Sequence, residues 1–484
     1  MRALRFVFLA ALLAAPNGIE PRNVSAQVWA SPDGSEPIEL AVDPIGPAEP
    51  LLAIELLPSV RDRHSGNAAV HYGKVKSEQN RLFGDSELLE KFHAWTTRPL
   101  EELKNEPQPL LSADSSIFAT LKRAAYCDSC DWQLPIREEE TLFILLPEVQ
   151  ESRLFARMLA STARWHIAHG EYERALELLR IGYAMARHVG EGPTVVNGLV
   201  GLAIASEMNR QLVELIRQPD APNLYWALTM LPDPLVDFRP GIEMEFDAIE
   251  LTYGDLFDPN SPIDSVDWWN TRLEELLEHT FLLSTYTMGG VSQGDEVKRP
   301  TLVELTTTTY PTAKQVLIEA GVDEAKVDAM PVSRVILQAS WSQYRKLRDR
   351  ELRLLFLSRE EATKFDPEIG LPEIEALPPF KRQLLMPAAR IRAAQTRMAR
   401  EFALLRTCEA LRAHAAAERG KLPTTLDEVR IVPIPLDPAT GRPFYYELQQ
   451  EGEGSTQLGR IVDASIEGMK IDLRVSIRAG STDR

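Results

Sequence analysis

The sequence predicts a mainly α protein: a body of helical hairpins carrying a small C-terminal antiparallel β-sheet. Three observations predict it. Apolar side chains recur at three- and four-residue spacing through most of the stretch from 67 to 419, the period of helices with one face in a core. Two such runs meet at His169-Gly170-Glu171-Tyr172, a helix stop followed at once by a helix start. The end of the chain alternates instead, Met469, Ile471, Leu473, Val475 and Ile477 against Lys470, Asp472, Arg474, Ser476 and Arg478, the period of a half-buried strand.

Residues 1–26 read as a signal peptide. Arg2 and Arg5 precede an apolar run over 6–15, and Val24-Ser25-Ala26 offers small residues for cleavage. That run is shorter than the roughly 20 residues of a membrane-spanning helix. A cleaved signal and an exported protein, periplasmic or extracellular, are therefore expected. No later apolar run is long enough to form a transmembrane segment. Residues 27–66 form an extended N-terminal segment containing Pro32, Pro37, Pro44, Pro47 and Pro50, with the apolar run 51–57 docking on the body.

Residues 67–387 form the helical body. Asn67, Ser86, and Ser115 or Ser116 are placed to cap its first three helices, and 127–135 interrupts them. Leu154, Phe155, Met158, Leu159, Thr162, Trp165 and His166 line the first helix of the central pair, which Gly170 ends. Tyr172, Ala175, Leu176, Leu179 and Tyr183 line the second, closed by Gly190-Glu191-Gly192-Pro193. Trp165, Tyr172 and Tyr183 are expected in the core. A third helix spans 194–217. Helical spacing returns over 246–253, 266–283 and 332–357, with Pro331 in the first turn of the last, and 289–300 is a polar loop.

Residues 388–420 form one long helix. Its apolar face is Ile391, Ala394, Met398, Phe402, Leu405, Cys408, Leu411 and Ala415, and its basic face is Arg390, Arg392, Arg397, Arg400, Arg406 and Arg412. The basic face is expected to lie in solvent beside an otherwise acidic protein. Residues 421–484 form a small β-rich module. Thr424 or Thr425 caps a short turn, Asp437-Pro438-Ala439-Thr440-Gly441 is a tight turn, and strands over 444–448 and 457–462 pair beside the tail through turns at Gly452/Gly454 and Gly468.

The chain has 53 basic and 71 acidic residues, a net charge of −18. This balance excludes a sequence-independent grip on nucleic acid, which releases counterions through clustered Lys and Arg. It likewise opposes adsorption to anionic lipid. Three cysteines are too few for a disulfide framework.

Cys127-Asp128-Ser129-Cys130 is the first chemical candidate. A redox site of this spacing sits between a strand and a helix, but Trp132 and Pro135 follow here. A zinc site needs two further ligands, and His166 and His169 are three apart on one helix. Unpaired structural thiols are the preferred reading, with a local disulfide and metal or redox work as alternatives. A zinc deaminase pairing of His169-Gly170-Glu171 with these cysteines fails on chain order. Gly290-Val291-Ser292-Gln293-Gly294 matches a nucleophile elbow, but no helix opens after it and His414 is the sole later histidine, so it reads as a polar loop. Glu243/Asp247/Glu250 and Glu274/Glu275/Glu278 read as solvated helix faces. No catalytic, cofactor-binding or metal site is assigned from the sequence, and no cofactor is implied.

Three resemblances attach to these residues. Gly170, Tyr172 and Ala175, within 151–190, resemble the turn of one tetratricopeptide unit, although Gly182 stands where that family has Ala. The segment 412–447 resembles the C-terminal module of type II secretion pseudopilins, in which a helix leads through a Gly-x-x-Pro turn and an Asp-Pro-x-x-Gly-x-Pro turn into a Tyr-rich strand. The chain as a whole is similar to a family of exported proteins from planctomycete-type bacteria, on Gly66 to Tyr72, Cys130-Asp131-Trp132, Arg187 to Thr194 and Leu422 to Tyr446. That resemblance implies export and transfers no activity. A non-enzymatic helical protein-binding or scaffold protein of the cell envelope is the leading expectation. The alternatives are a component related to the type II secretion apparatus and a hydrolase or metalloenzyme without a recognised motif.

Overall fold

The computed structural model describes residues 38–78, 82, 84–135, 146–258, 261–287, 301–357, 361, 377, 388–451, 456–463 and 470–478. Residues 1–26, read from the sequence as a signal peptide, the start of the N-terminal segment, the expected 289–300 loop with its Gly-x-Ser-x-Gly, and the expected turns at Gly452/Gly454 and Gly468 lie outside them. The architecture is mainly helical with a small C-terminal sheet. It divides into two compact units, the larger from 38–133, 146–241 and 393–478 and the smaller chiefly from 242–392.

The larger unit opens with β1 (Ile38–Val42), β2 (His64–Asn67), α1 (Ala68–Glu78), α2 (Ser86–Trp95), α3 (Leu100–Leu103), α4 (Ser116–Ala125) and β3 (Cys127–Ser129). The helices α5 (Pro147–Ala168), α6 (Tyr172–Gly190) and α7 (Val195–Ile216) follow and all pack on one another. Next come α8 (Tyr225–Thr229) and α9 (Arg239–Phe257), and α9 enters the smaller unit. That unit contains α10 (Val266–Thr287), α11 (Leu302–Glu319), α12 (Glu324–Ala329) and α13 (Val332–Phe356). The long helix α14 (Ala388–Ala417) returns to the larger unit, ahead of β4 (Leu436–Asp437), β5 (Arg442–Pro443), β6 (Tyr446–Glu451), β7 (Thr456–Asp463) and β8 (Ile471–Ile477). Among the described residues, no helix is long and apolar enough to cross a membrane.

The α5–α6 junction forms as the sequence predicts. Gly170 has φ +74°, its N–H donates to Ile167 O (3.1 Å), and Glu171 N donates to His166 O (2.9 Å). This pair of bonds satisfies carbonyls that would otherwise end the helix unpaired. Thr194 caps α7 by accepting from Asn197 N at 3.2 Å. The capping residue of α2 is Asp85 rather than Ser86, accepting from Leu88 N at 3.0 Å. Ser115 caps α4. Pro331 lies just outside α13, with ψ 135°.

Close approach of α6 and α7 is a glycine effect. A Cβ on Gly201 would stand 2.6 Å from Ala186 O and 2.7 Å from the Cα of Gly190. The two backbones therefore touch, and no side chain fits between them. The core built around this crossing includes Tyr183, Met185, Met208 and Leu212, none of them exposed.

One element differs from expectation. The sheet has the order β1-β8-β7-β6, and β1 joins β8 in parallel, Ile38 opposite Leu473 and Val42 opposite Ile477. The N-terminal segment is thus part of the C-terminal sheet, with Leu40 and Val42 buried. In the run 51–57, Leu56 is buried, but Leu51 and Leu52 face solvent. The smaller unit holds α11, whose Thr306 to Thr309 and Pro311 are poor helix formers. A capping box at Thr301 and Glu304 starts this helix, and the hydroxyls of Thr306, Thr307 and Thr308 bond back to the carbonyls of Val303 and Glu304. The helix packs on α13. Phe257, Trp341 and Tyr344 stack within this unit, at centroid distances of 4.0 and 5.5 Å.

Candidate functional site

Within the larger unit, β2 and β3 run parallel and bring the Cys-x-x-Cys segment against the start of α1. Asn67 braces the loop. Its Nδ2 donates to Asp131 O (2.7 Å), and its Oδ1 accepts from Asp131 N (2.9 Å) and Ala69 N (3.1 Å). Trp132 then stacks on Tyr72, with centroids 5.8 Å apart and planes 13° apart. The Tyr72 hydroxyl and His188 Nδ1 are hydrogen-bonded at 3.0 Å, and Trp132 Nε1 donates to His188 O. Three segments distant in sequence, 66–72, 130–132 and 187–194, therefore converge on one aromatic cluster in which Tyr72 and His188 are buried.

Burial pushes the His188 imidazole down to about 4, and the nearby Arg187 charge acts in the same direction. Burial also raises Tyr72 well above the ordinary phenol range. Both groups are neutral at ordinary pH and hold each other through one hydrogen bond. In the unfolded chain His188 titrates near 6.5. Its contribution to stability is therefore complete above pH 6.5 and is lost as the pH falls from 6.5 to about 4, on the order of 3 kcal/mol in all. Denaturant midpoints measured across that window should fall more steeply for the native protein than for His188→Gln. Parallel curves would show that His188 is not buried as a neutral base.

All three cysteines are free. Burial raises the pKa of Cys127, Cys130 and Cys408, the opposite of what activates a thiolate. Cys127 Sγ donates to Arg123 O. Cys127 starts an extended strand, so its Cα stands roughly 10 Å from that of Cys130, beyond the roughly 4–7 Å a disulfide spans. Thiol titration of denatured protein without reductant should count three thiols, and the native protein should react slowly and first at half-buried Cys130. A count of one would restore the disulfide reading.

His166 and His169 have other partners. His166 Nδ1 pairs with Glu171 Oε2 at 2.7 Å, and His169 stacks on Trp165 at 3.9 Å. The His166–Glu171 pair has the form of a base and its orienting carboxylate, but His166 Nε2 is enclosed without a partner. It can reach no substrate, and the pair holds the α5–α6 turn. Among the described residues no three His, Cys, Asp or Glu side chains group as a metal site. Glu243, Asp247, Glu250, Glu274, Glu275 and Glu278 are exposed. Trp165 and Tyr183 are buried, and Tyr172 is half-buried, donating to Pro219 O.

The basic face of α14 is not a solvated one. Arg400 and Arg412 are buried, as are Asp437 and Glu409. Arg400 forms a bidentate pair with Asp437, at 2.9 and 2.6 Å, and also meets Asp463. Asp437 in turn accepts from Ala439 N, and its carbonyl accepts from Gly441 N. The Asp-Pro-x-x-Gly turn is thereby tied to α14. Arg412 pairs with Glu409 at 2.9 Å and donates to the carbonyls of Asp43, Ala221 and Pro222. Glu401 joins a buried chain in which Asn209 Nδ2 donates to Glu401 Oε2 (2.9 Å) and Tyr183 donates to Asn209 Oδ1 (2.6 Å).

What this anchoring presents outward is the β4–β5 hairpin. Leu436 stands opposite Pro443, and Tyr445 follows two residues on. Leu436 is 55% exposed, Tyr445 62% and Ile431 48%. Arg430 and Arg442 are also exposed, and neither carries an ion pair among the described residues. Sequence reasoning missed this face because it classed 436–446 only as turn and strand. The available signal was Leu436, Pro443 and Tyr445 bracketing a turn whose Asp is buried. No protein-family model, curated protein or solved structure matches the chain.

Proposed function

We propose that the chain is an exported, non-enzymatic binding protein of the cell envelope, whose helical scaffold holds the β4–β5 hairpin out to another polypeptide. The observation that carries this reading is the exposed Leu436–Pro443–Tyr445 face on a hairpin fixed from behind by the buried Arg400–Asp437 pair. A clustered exposed apolar face is a recognition feature, and Tyr and Arg are the residues over-represented where interfaces gain their energy. A hairpin held in place by a buried bidentate pair loses little further freedom on binding. Arg442, exposed on β5 of the hairpin, suits a partner whose apolar side chain is accompanied by carboxylates.

Selection of displayed peptides against the full chain tests this. Peptides with an apolar residue beside Asp or Glu should emerge, and Leu436→Asp should weaken them roughly tenfold or more with no change in thermal midpoint. Peptides without that signature, or bound equally by Leu436→Asp, would contradict it. A second reading, a component related to the type II secretion apparatus, has support from the order in which α14 leads to the hairpin and then to the antiparallel strands β6–β7–β8. Pseudopilus proteins recovered with the chain from the envelope would favour that reading.

A further inference from the structure

Arg153 and Arg157 lie four residues apart on α5 and are half-buried. Residues at this spacing share one helix face and are roughly 6 Å apart along its axis. Neither guanidinium has a hydrogen bond or ion pair among the described residues. Arg153 is distinctive in this respect. Among the described residues, Arg153, Arg217, Arg272, Arg406 and Arg474 have a buried Nε without a partner. The other four place another part of the guanidinium against an acidic or hydroxyl group. Arg153 places none.

This face continues on the neighbouring helices. α5 packs on both α2 and α7. Gln211 on α7 donates to Thr96 O at the end of α2 (2.9 Å) and accepts from Arg164 of α5 (3.0 Å), which fixes the three helices together. His93 of α2 feels the charges of Arg157 and Arg210, and Arg153 feels that of Arg157. The one acidic group that these interactions place here is Glu207, and it is already engaged by Arg210 at 2.8 Å. A protein of net charge −18 has ample carboxylates to neutralise two half-buried arginines, yet among the described residues none pairs with them. Desolvated, unpaired like charges oppose folding, and an arrangement of this kind is a mark of a binding site.

We infer that Arg153 and Arg157, with His93 and Arg210 beside them, form a binding site for a phosphate group. Two guanidinium forks offer more parallel N–H donors than one carboxylate, with two oxygens, can accept. The four oxygens of a phosphate suit two forks converging from one helix face. The phosphate source is either the free ion or a phosphomonoester, and the recognition chemistry is the same.

Thermal unfolding and calorimetric titration of the full chain test the site. The probes are inorganic phosphate, a simple phosphomonoester and acetate, at ionic strength matched with chloride. Phosphate should raise the midpoint saturably and acetate should not. A larger effect of the ester would identify the esterified source, and a larger effect of inorganic phosphate the free ion. Arg153→Gln and Arg157→Gln should each weaken phosphate binding roughly tenfold while leaving the ligand-free protein as stable as before or more so. Arg153→Lys keeps the charge without the fork, so it should fold normally and still bind more weakly. The inference is overturned if phosphate and chloride act alike, if the phosphate effect survives in Arg153→Lys and Arg157→Gln, or if acetate matches phosphate.

Discussion

Arg412→Met should destabilise the protein by about 3–5 kcal/mol, read as a lower denaturant midpoint with an unchanged slope. Arg412 and Glu409 are both fully buried, with 0% side-chain exposure on each partner. Removing the guanidinium strands the Glu409 carboxylate, together with the carbonyls of Asp43, Ala221 and Pro222. Burial already pushes the Glu409 pKa up, and Arg412 is the charge that pulls it back. The double variant Arg412→Met, Glu409→Leu should recover much of the loss, because two apolar groups leave no buried charge unpaired. A single variant within about 1 kcal/mol of the native protein would mean that the pair is open to water, since exposed pairs have that magnitude.

Gly201→Val is expected to cost about 3 kcal/mol or more. Two effects compete at this position. Replacing a mid-helix glycine gains up to about 1 kcal/mol in helix propensity. The new Cβ would meet backbone atoms of α6 at 2.6–2.7 Å, which forces the helices apart, and the steric term wins. Gly73 provides the control. It lies within α1, and a Cβ there meets nothing within 4 Å. Gly73→Ala should therefore stabilise by roughly 0.5–1 kcal/mol. Thermal or urea unfolding of both variants should give opposite signs, and equal signs would contradict the observed α6–α7 crossing.

The sequence made local features legible and left distant ones hidden. Gly170 marks a helix stop from its neighbours alone, and the alternation of 469–477 identifies β8 without knowledge of its partners. β1 was hidden because its partner β8 is most of the chain away and strand pairing leaves no mark on five residues, Ile38 to Val42. α11 was obscured by Thr306 to Thr309 and Pro311, although Thr301 and Glu304 already form a capping box that marks its start. The basic face of α14 was misread for a related reason. Arg400 is buried by Asp437 and Asp463, carboxylates from turns and strands beyond the helix. For Arg412, the partner Glu409 was only three residues away, but the spacing does not distinguish a buried pair from a solvated one. The Tyr72–Trp132–His188 cluster was legible only as three separate segments.

Hairpin docking is tested most directly by cross-linking in cells that produce the protein. A photoreactive side chain replaces Tyr445 on the hairpin in one protein and Thr307, exposed on α11, in another. The hairpin position should yield a single discrete adduct to another polypeptide, absent from the Thr307 position and lost when Leu436→Asp is added. No adduct at 445, or the same adducts at both positions, would contradict hairpin docking.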